Sequence, residues 1–256
     1  MRKEMICICS VIIVVMIQLL VVQIFSKESL KKKEELLTEQ VRMTGKLEIK
    51  KKAYLTFDDG PSLNTGELLE VLKKYNIKAT FFVVGKADKH SKDCYRQIVA
   101  EGHTLGIHAY SHDYRKLYQS EESFKKDFYK IRKLLKNVTG VDVKYYRFPG
   151  GSSNSVSNVP MNKLIRFIHQ EGVEYYDWNA LNEDAVTVGL TSGQLNSNIM
   201  KDVERLDTAI ILMHDLNENH NTIESLPNLI KTLQKQGFEL LPIDENTPLI
   251  QHIQVD

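Results

Sequence analysis

From Lys52 onward the chain alternates short β-rich apolar runs with longer stretches in which apolar residues recur every three or four positions. These are the periodicities of strand and helix. The run at 53–57 predicts a strand, followed by a helix over 64–75 that Asn64 and Glu67 would open as a capping box. A buried strand at 79–85, a helix near 90–101 stopped by Gly102, and a strand at 103–108 come next. A helix over 120–140 takes Ser120 as its cap and Gly140 as its stop. A strand at 143–147, a helix at 160–171 ended by Gly172, and a strand at 173–177 follow. A helix opened by Thr191 and Gln194, a strand at 208–214, a helix at 222–236 and a strand near 238–243 complete the series. About seven strands with helices between most of them imply an α/β fold with a parallel sheet covered by helices, and a near-complete ring would be a barrel.

Ahead of this body the pattern changes. Met5–Phe25 is 21 residues without a charge, broken only by Ser10, Gln18 and Gln23. As a helix it would span roughly 30 Å, the hydrocarbon thickness of a bilayer. A cleavable signal peptide has a shorter apolar region and a small-residue exit. The exit here is Val22-Gln23-Ile24-Phe25-Ser26-Lys27, so residues 1–26 are expected to be an uncleaved single-pass anchor. Residues 27–50, rich in Lys and Glu, read as a solvated stalk, and residues 51–250 as the main domain. Arg2 and Lys3 precede the span while Lys27, Lys31, Lys32 and Lys33 follow it. Flanking charge alone would therefore leave the body in the cytoplasm.

Charge separates the same two pieces. Residues 1–52 hold 11 Lys and Arg against 6 Asp and Glu, and the remainder holds 23 against 27. A net charge of +1 over 256 residues argues against a nucleic-acid partner. Cys7 and Cys9 lie in the apolar run and Cys94 stands alone, so the body has no disulfide framework.

Chemistry concentrates where the predicted strands end. Asp58 and Asp59 close the first, His108 the third, Arg147 the fourth and His214 the one before last. In parallel α/β folds that end of the sheet gathers the reacting groups. Adjacent carboxylates repel unless a cation or donor lies between them. His108 and His112, four apart in "HAYSHDY", suit two ligands of one metal. With one of the two aspartates they make a three-ligand site with a position left for water, the pattern of a catalytic zinc. The other aspartate then remains free to take a proton, and His214 across the rim could protonate a leaving group. The other histidines, at 90, 103, 169, 220 and 252, are assigned structural roles.

"TFDDGPS", "HAYSH", "RFPGG", "DWNALNEDA" and "ILMHD" occur in the order and approximate spacing of the five motifs of the polysaccharide deacetylase (NodB-like, carbohydrate esterase family four) proteins. The chain resembles that family over about residues 50–245. The resemblance implies a distorted (β/α) barrel of about seven strands, a divalent metal (zinc, with cobalt or manganese as alternatives) and hydrolysis of acetyl groups on sugar polymers. Asp58 then resembles the catalytic base; Asp59, His108 and His112 resemble the metal ligands. Arg147 resembles the residue that holds the base, and Asp184 the acid that orients the catalytic His214. Among substrate-binding positions, Gly150 resembles the backbone oxyanion donor, Leu212 the wall of the acetyl pocket, and Tyr146 and Trp178 contacts to sugar. Trp178 is open to a second reading as a core-edge aromatic. Two departures stand out: Ala109 where Ser or Thr would brace the loop, and Ala185 where many members carry Trp.

The expectation is a monomeric peptidoglycan deacetylase, anchored in the cell membrane with its catalytic domain outside the cytoplasm, acting on GlcNAc or MurNAc. Its partners would be the acetylated polysaccharide and, through the anchor, the membrane. An extracytoplasmic substrate overrides the flanking charges, since large domains translocate largely regardless of them. Other acetylated glycans (chitooligosaccharide, exported poly-N-acetylglucosamine, O-acetyl xylan) are alternative substrates. A catalytically silent carbohydrate-binding module is the alternative of a different class. Loss of the aspartate pair or of His214 would mark it, and both are present.

Overall fold

A computed structural model describes residues 29, 31–33, 35–36, 51–187 and 189–255. The chain divides into two units, Met1–Ile49 and Lys50–Asp256. In the first, the described residues Ser29, Lys31–Lys33, Glu35 and Leu36 are helical and exposed. The apolar run 5–25 lies outside the described residues, among which no helix is long and apolar enough to cross a membrane.

In the second unit the elements follow as β1 (Lys51–Asp58), α1 (Thr65–Lys74), β2 (Thr80–Val84), α2 (Lys89–Ala100), β3 (Thr104–Ala109), α3 (Tyr114–Leu117) and α4 (Glu121–Thr139). Then come β4 (Tyr145–Tyr146), α5 (Met161–Gln170), β5 (Glu174–Tyr175), β6 (Ala180–Leu181), α6 (Ser192–Val203), β7 (Thr208–His214), α7 (His220–Lys235) and β8 (Phe238–Leu240). Seven strands lie on one path, β5-β4-β3-β2-β1-β7-β6, and β8 pairs with β1. Every pairing is parallel. Among the described residues the strands do not close into a ring: β5 and β6 end the path without pairing with each other.

The two-residue period of the strands sorts the core. Ala53, Leu55 and Phe57 of β1, with Ala209, Ile211 and Met213 of β7, join the large core that the helices cover. Tyr54, Phe82 and Ile210 pack in a second cluster on the opposite face. Both faces being buried explains why these strands are almost unbroken apolar runs. Asp58 and His214 fall on the same phase as Tyr54 and Ile210, so they inherit the face turned away from the large core.

Helix signals perform unevenly. Thr191 and Gln194 form the expected capping box, Ser120 accepts from Ser123 N–H, and Gly140 ends α4 at φ 77°. Asn64 makes no cap bond to α1. Its amide instead donates to Leu216 O and Asn217 O at 2.9 and 3.0 Å. Thr65 Oγ1, accepting from Ser62 N–H at 2.8 Å, tightens the turn in its place. The strands at 143–147 and 173–177 shrink to two residues each, and the pattern did not show β6 or α3. Elements that short hold too few residues to display a period.

Candidate active site

Four strand ends, of β1, β3, β4 and β7, and the loops that carry His112 and Asp184 bring the predicted groups together. Asp58 and His214 are register partners on neighbouring strands, which sets a carboxylate and an imidazole side by side although 155 residues separate them. Asp58 is 2% exposed and Arg147 fully buried. Arg147 Nη1 donates to Asp58 Oδ1 at 2.9 Å and to Thr56 Oγ1 at 2.6 Å. Its Nε and Nη2 donate to Tyr176 O and Asp177 O, both at 3.0 Å. A buried guanidinium with each of its nitrogens occupied is a fixed part, and it clamps one oxygen of Asp58. Burial raises the Asp58 pKa, opposed by the charges of Arg147 and His214. A raised value would suit the base role expected of Asp58.

Asp59 follows an inward-facing residue, so strand alternation would send its side chain outward. A left-handed φ of 71° breaks the alternation at that position. It brings Asp59 Oδ1 to 3.5 Å from His108 Nε2 and 3.1 Å from His112 Nε2. His112 itself has φ 49°. Two non-glycine residues held in this sparsely populated region, at a cost of about 1–3 kcal/mol each, mark a site shaped for something other than stability.

The donor set fits a divalent ion. One atom each from Asp59, His108 and His112 lie within 4.8 Å of one another. Asp59 Oδ1 is buried without a hydrogen-bond partner among the described residues, an expensive omission unless a cation occupies the space. His108 Nδ1 donates to Arg147 O at 2.8 Å, leaving the Nε2 lone pair aimed at the site. Burial pulls the His108 pKa down to about 3, so the ring is neutral as a ligand must be. Among the described residues this is the group of His, Cys and acidic side chains arranged to hold a metal.

The His112 loop is braced despite Ala109. Asp127 of α4 accepts from the N–H groups of Tyr110 and Ser111 and from Ser111 Oγ, so Ser111, two residues on, takes the bracing part. At the end of β7, His214 Nδ1 meets Asp184 Oδ1 at 2.7 Å, and His214 N–H donates to Asp184 Oδ2 at 3.0 Å. Thr222 Oγ1 donates to the same Oδ2 at 2.8 Å. Burial lowers the His214 pKa, but the Asp184 hydrogen bond and the charges of Asp184, Asp58 and Asp59 outweigh it, and the net shift is upward.

A cavity of about 330 Å³ opens over these groups, lined also by Gly150, Trp178, Ala185 and Leu212. Tyr146 is placed elsewhere. It is the register partner of Ile107, on the helix side of the sheet, 1% exposed among Phe124, Phe128 and Phe148. Alternation that carries Arg147 inward carries Tyr146 outward, so it has no surface to offer a sugar. Tyr146→Phe should therefore leave KM and kcat for a glycan within about twofold; a large rise in KM alone would return Tyr146 to the substrate.

Residues the sequence did not single out support the site from behind. Asp215 accepts from Ser62 Oγ and Thr65 Oγ1 and lies so close to Gly60 that a Cβ there would sit 2.4 Å from its Oδ2. Tyr114 lines the cavity and meets the His112 ring edge-on at 5.4 Å. Both stand inside stretches already singled out, Asp215 at the end of "ILMHD" and Tyr114 at the end of "HAYSHDY", with nothing local to assign them a role.

Comparison with known proteins agrees with this arrangement. A family profile described as polysaccharide deacetylase matches residues 46–165. The peptidoglycan-N-acetylglucosamine deacetylase of Bacillus cereus is 32% identical over 194 residues, covering 74% of this chain and 68% of that protein. The Bacillus subtilis protein YheN, whose name places it provisionally among polysaccharide deacetylases, is 34% identical over 194 residues, covering 73% of this chain and 65% of its own length. The chain thus spans about two thirds of these relatives. The catalytic domain of a peptidoglycan N-acetylglucosamine deacetylase from Eubacterium rectale superposes with a TM-score of 0.75 at 35% identity, covering 80% of this chain and 94% of that domain. With the five motifs meeting at one rim of a parallel sheet, the chain belongs to the polysaccharide deacetylase family.

Proposed function

We propose that the protein is a divalent-metal-dependent hydrolase that removes N-acetyl groups from peptidoglycan, held at the cell membrane by residues 1–26 with its catalytic domain outside the cytoplasm. The observation that supports this reading most directly is the pairing of two proton-handling groups at one cavity, Asp58 held by Arg147 and His214 held by Asp184, beside a three-donor cluster suited to a metal. Two of the relatives named above, from Bacillus cereus and Eubacterium rectale, are peptidoglycan N-acetylglucosamine deacetylases by name, and N-acetylmuramic acid offers the same amide.

Asp59, His108 and His112 would hold the ion, with zinc matching a set of two imidazoles and one carboxylate. When bound, a divalent ion there supplies Lewis acidity toward the acetyl carbonyl and toward water. Asp58 takes the proton as water oxygen adds to the acetyl carbon. Gly150 lines the cavity, and its N–H would, as the family resemblance implies, meet the developing oxyanion. Leu212, on the same strand as His214 and facing the same cavity, walls the acetyl methyl. Cleavage of the carbon–nitrogen bond needs a proton on nitrogen, which His214 delivers, releasing acetate and a free amine.

The test is acetate release by the full chain in detergent from purified peptidoglycan, chitooligosaccharide and acetylated xylan. Acetate from peptidoglycan, stopped by a chelator and restored by Zn²⁺ or Co²⁺, is expected. Release from xylan alone would replace the substrate, and release from none with metal loaded would overturn the enzymatic reading. His112→Ala should lose stoichiometric metal binding, read by elemental analysis.

A further inference from the structure

The sheet is open at β5, and something must cover that edge. The C-terminal segment does. Asp177 N–H donates to Ile250 O at 2.8 Å, and Gln251 Nε2 donates to Tyr175 O at 3.1 Å. His252 N–H donates to Asp177 Oδ2 at 2.7 Å, and Ile253 N–H to Ser152 Oγ at 3.0 Å. Asp177 also accepts from Ser152 N–H at 2.8 Å, and its carbonyl holds Arg147. The tail is therefore tied to the same residues that fix the catalytic floor.

His252 does more than end this ladder. Its ring meets Trp178 edge-to-face, centroids 5.0 Å apart at 76°. Its Nε2 donates to Trp178 O at 2.8 Å, and its Nδ1 lies 3.3 Å from Ser153 Oγ. Gly151, at φ 81°, leaves no slack on the other side: a Cβ would sit 3.1 Å from Trp178 Cη2 and 3.4 Å from His252 Nδ1. Trp178, so held, is a wall of the cavity. Aromatic rings prefer this edge-to-face contact, and one bond from imidazole to the tryptophan's own carbonyl fixes ring and backbone together.

We infer that His252, delivered by the C-terminal tail, is a positioning residue that sets Trp178 as a sugar-facing wall and so governs affinity for the glycan chain rather than acetyl removal itself. The inference rests on the deacetylase reading of the cavity and adds a specificity element from outside the five motifs.

Trp178 is the single tryptophan of the chain, so tryptophan fluorescence reports the surroundings of this one side chain. In the full chain, N-acetylglucosamine oligomers should change the emission of Trp178, and His252→Ala should shift the unliganded emission and weaken oligomer binding about three- to tenfold. KM for the oligomers should rise by the same factor with kcat little changed. KM for a small aryl acetate that reaches only the acetyl pocket should not move. His252→Gln, whose amide can still donate to Trp178 O, should recover part of the loss. Unaltered emission in His252→Ala, or an emission shift with unaltered oligomer binding, overturns the inference. An unsubstituted protein that binds oligomers through Trp178 yet releases no acetate defeats the deacetylase reading and leaves the positioning role standing.

Discussion

Asp58→Asn should lower the rate of acetate release by about 10²–10⁴-fold, the usual worth of a positioned acid or base, while the purified protein keeps its metal. The two halves of this result come from different residues. Asparagine has the shape of aspartate and offers Arg147 Nη1 an oxygen, but it takes no proton from water. Arg147 retains Thr56 Oγ1, Tyr176 O and Asp177 O in any case, so the clamp stays folded. Asp59, His108 and His112 are untouched, and metal content by elemental analysis should match the parent. Asp59→Asn should behave the other way, losing metal and activity together. If Asp58→Asn empties the site while Asp59→Asn leaves it filled, base and ligand have been exchanged; full activity in both would remove the mechanism.

Much of this site was legible because strand ends and chemistry coincide. A parallel α/β pattern tells which end of each run is functional, and Asp58, His108, Arg147 and His214 all stood there. The open edge was not legible. Tyr176–Asn179 joins β5 directly to β6, and the strands it joins are two residues long, so no periodicity betrayed the missing closure. Tyr146 was misplaced for a related reason. A residue beside a motif arginine looks like part of the motif until the period of two puts it on the other face. His252 was passed over because its significance is tertiary: nothing local connects it to Trp178, 74 residues away. The bracing of the His112 loop shows the reverse case, in which Ala109 looked like a loss and Asp127, on a following helix, supplied what was missing.

His214→Ala should cost amide hydrolysis on the order of 10²–10⁴-fold, and less for an ester with a good leaving group. An amine departs only once protonated, whereas a stable alkoxide leaves with little help. The same group should set the basic side of the pH profile. Burial disfavours the imidazolium, yet the hydrogen bond and charge of Asp184, with Asp58 and Asp59, raise its pKa. The acid form is then present below that raised value and is lost as pH climbs through it. Asp184→Asn removes the carboxylate charge and leaves burial in place, so the His214 pKa falls and the basic limb of kcat moves to lower pH. Stability should follow the same signs. The raised His214 stabilises the fold below its unfolded value of about 6.5, and that contribution fades as pH rises through the folded one. Asp184 is buried, which raises its pKa, but the His214 and Thr222 hydrogen bonds prevail and hold it low. Its contribution is present above an unfolded value of about 3.9 and is lost as pH falls through the folded one. Asp184→Asn should therefore lower the melting temperature most between those two limits. A basic limb that stays in place in Asp184→Asn, with rate lost uniformly at every pH, would mean that His214 is not the group whose proton the leaving amine takes.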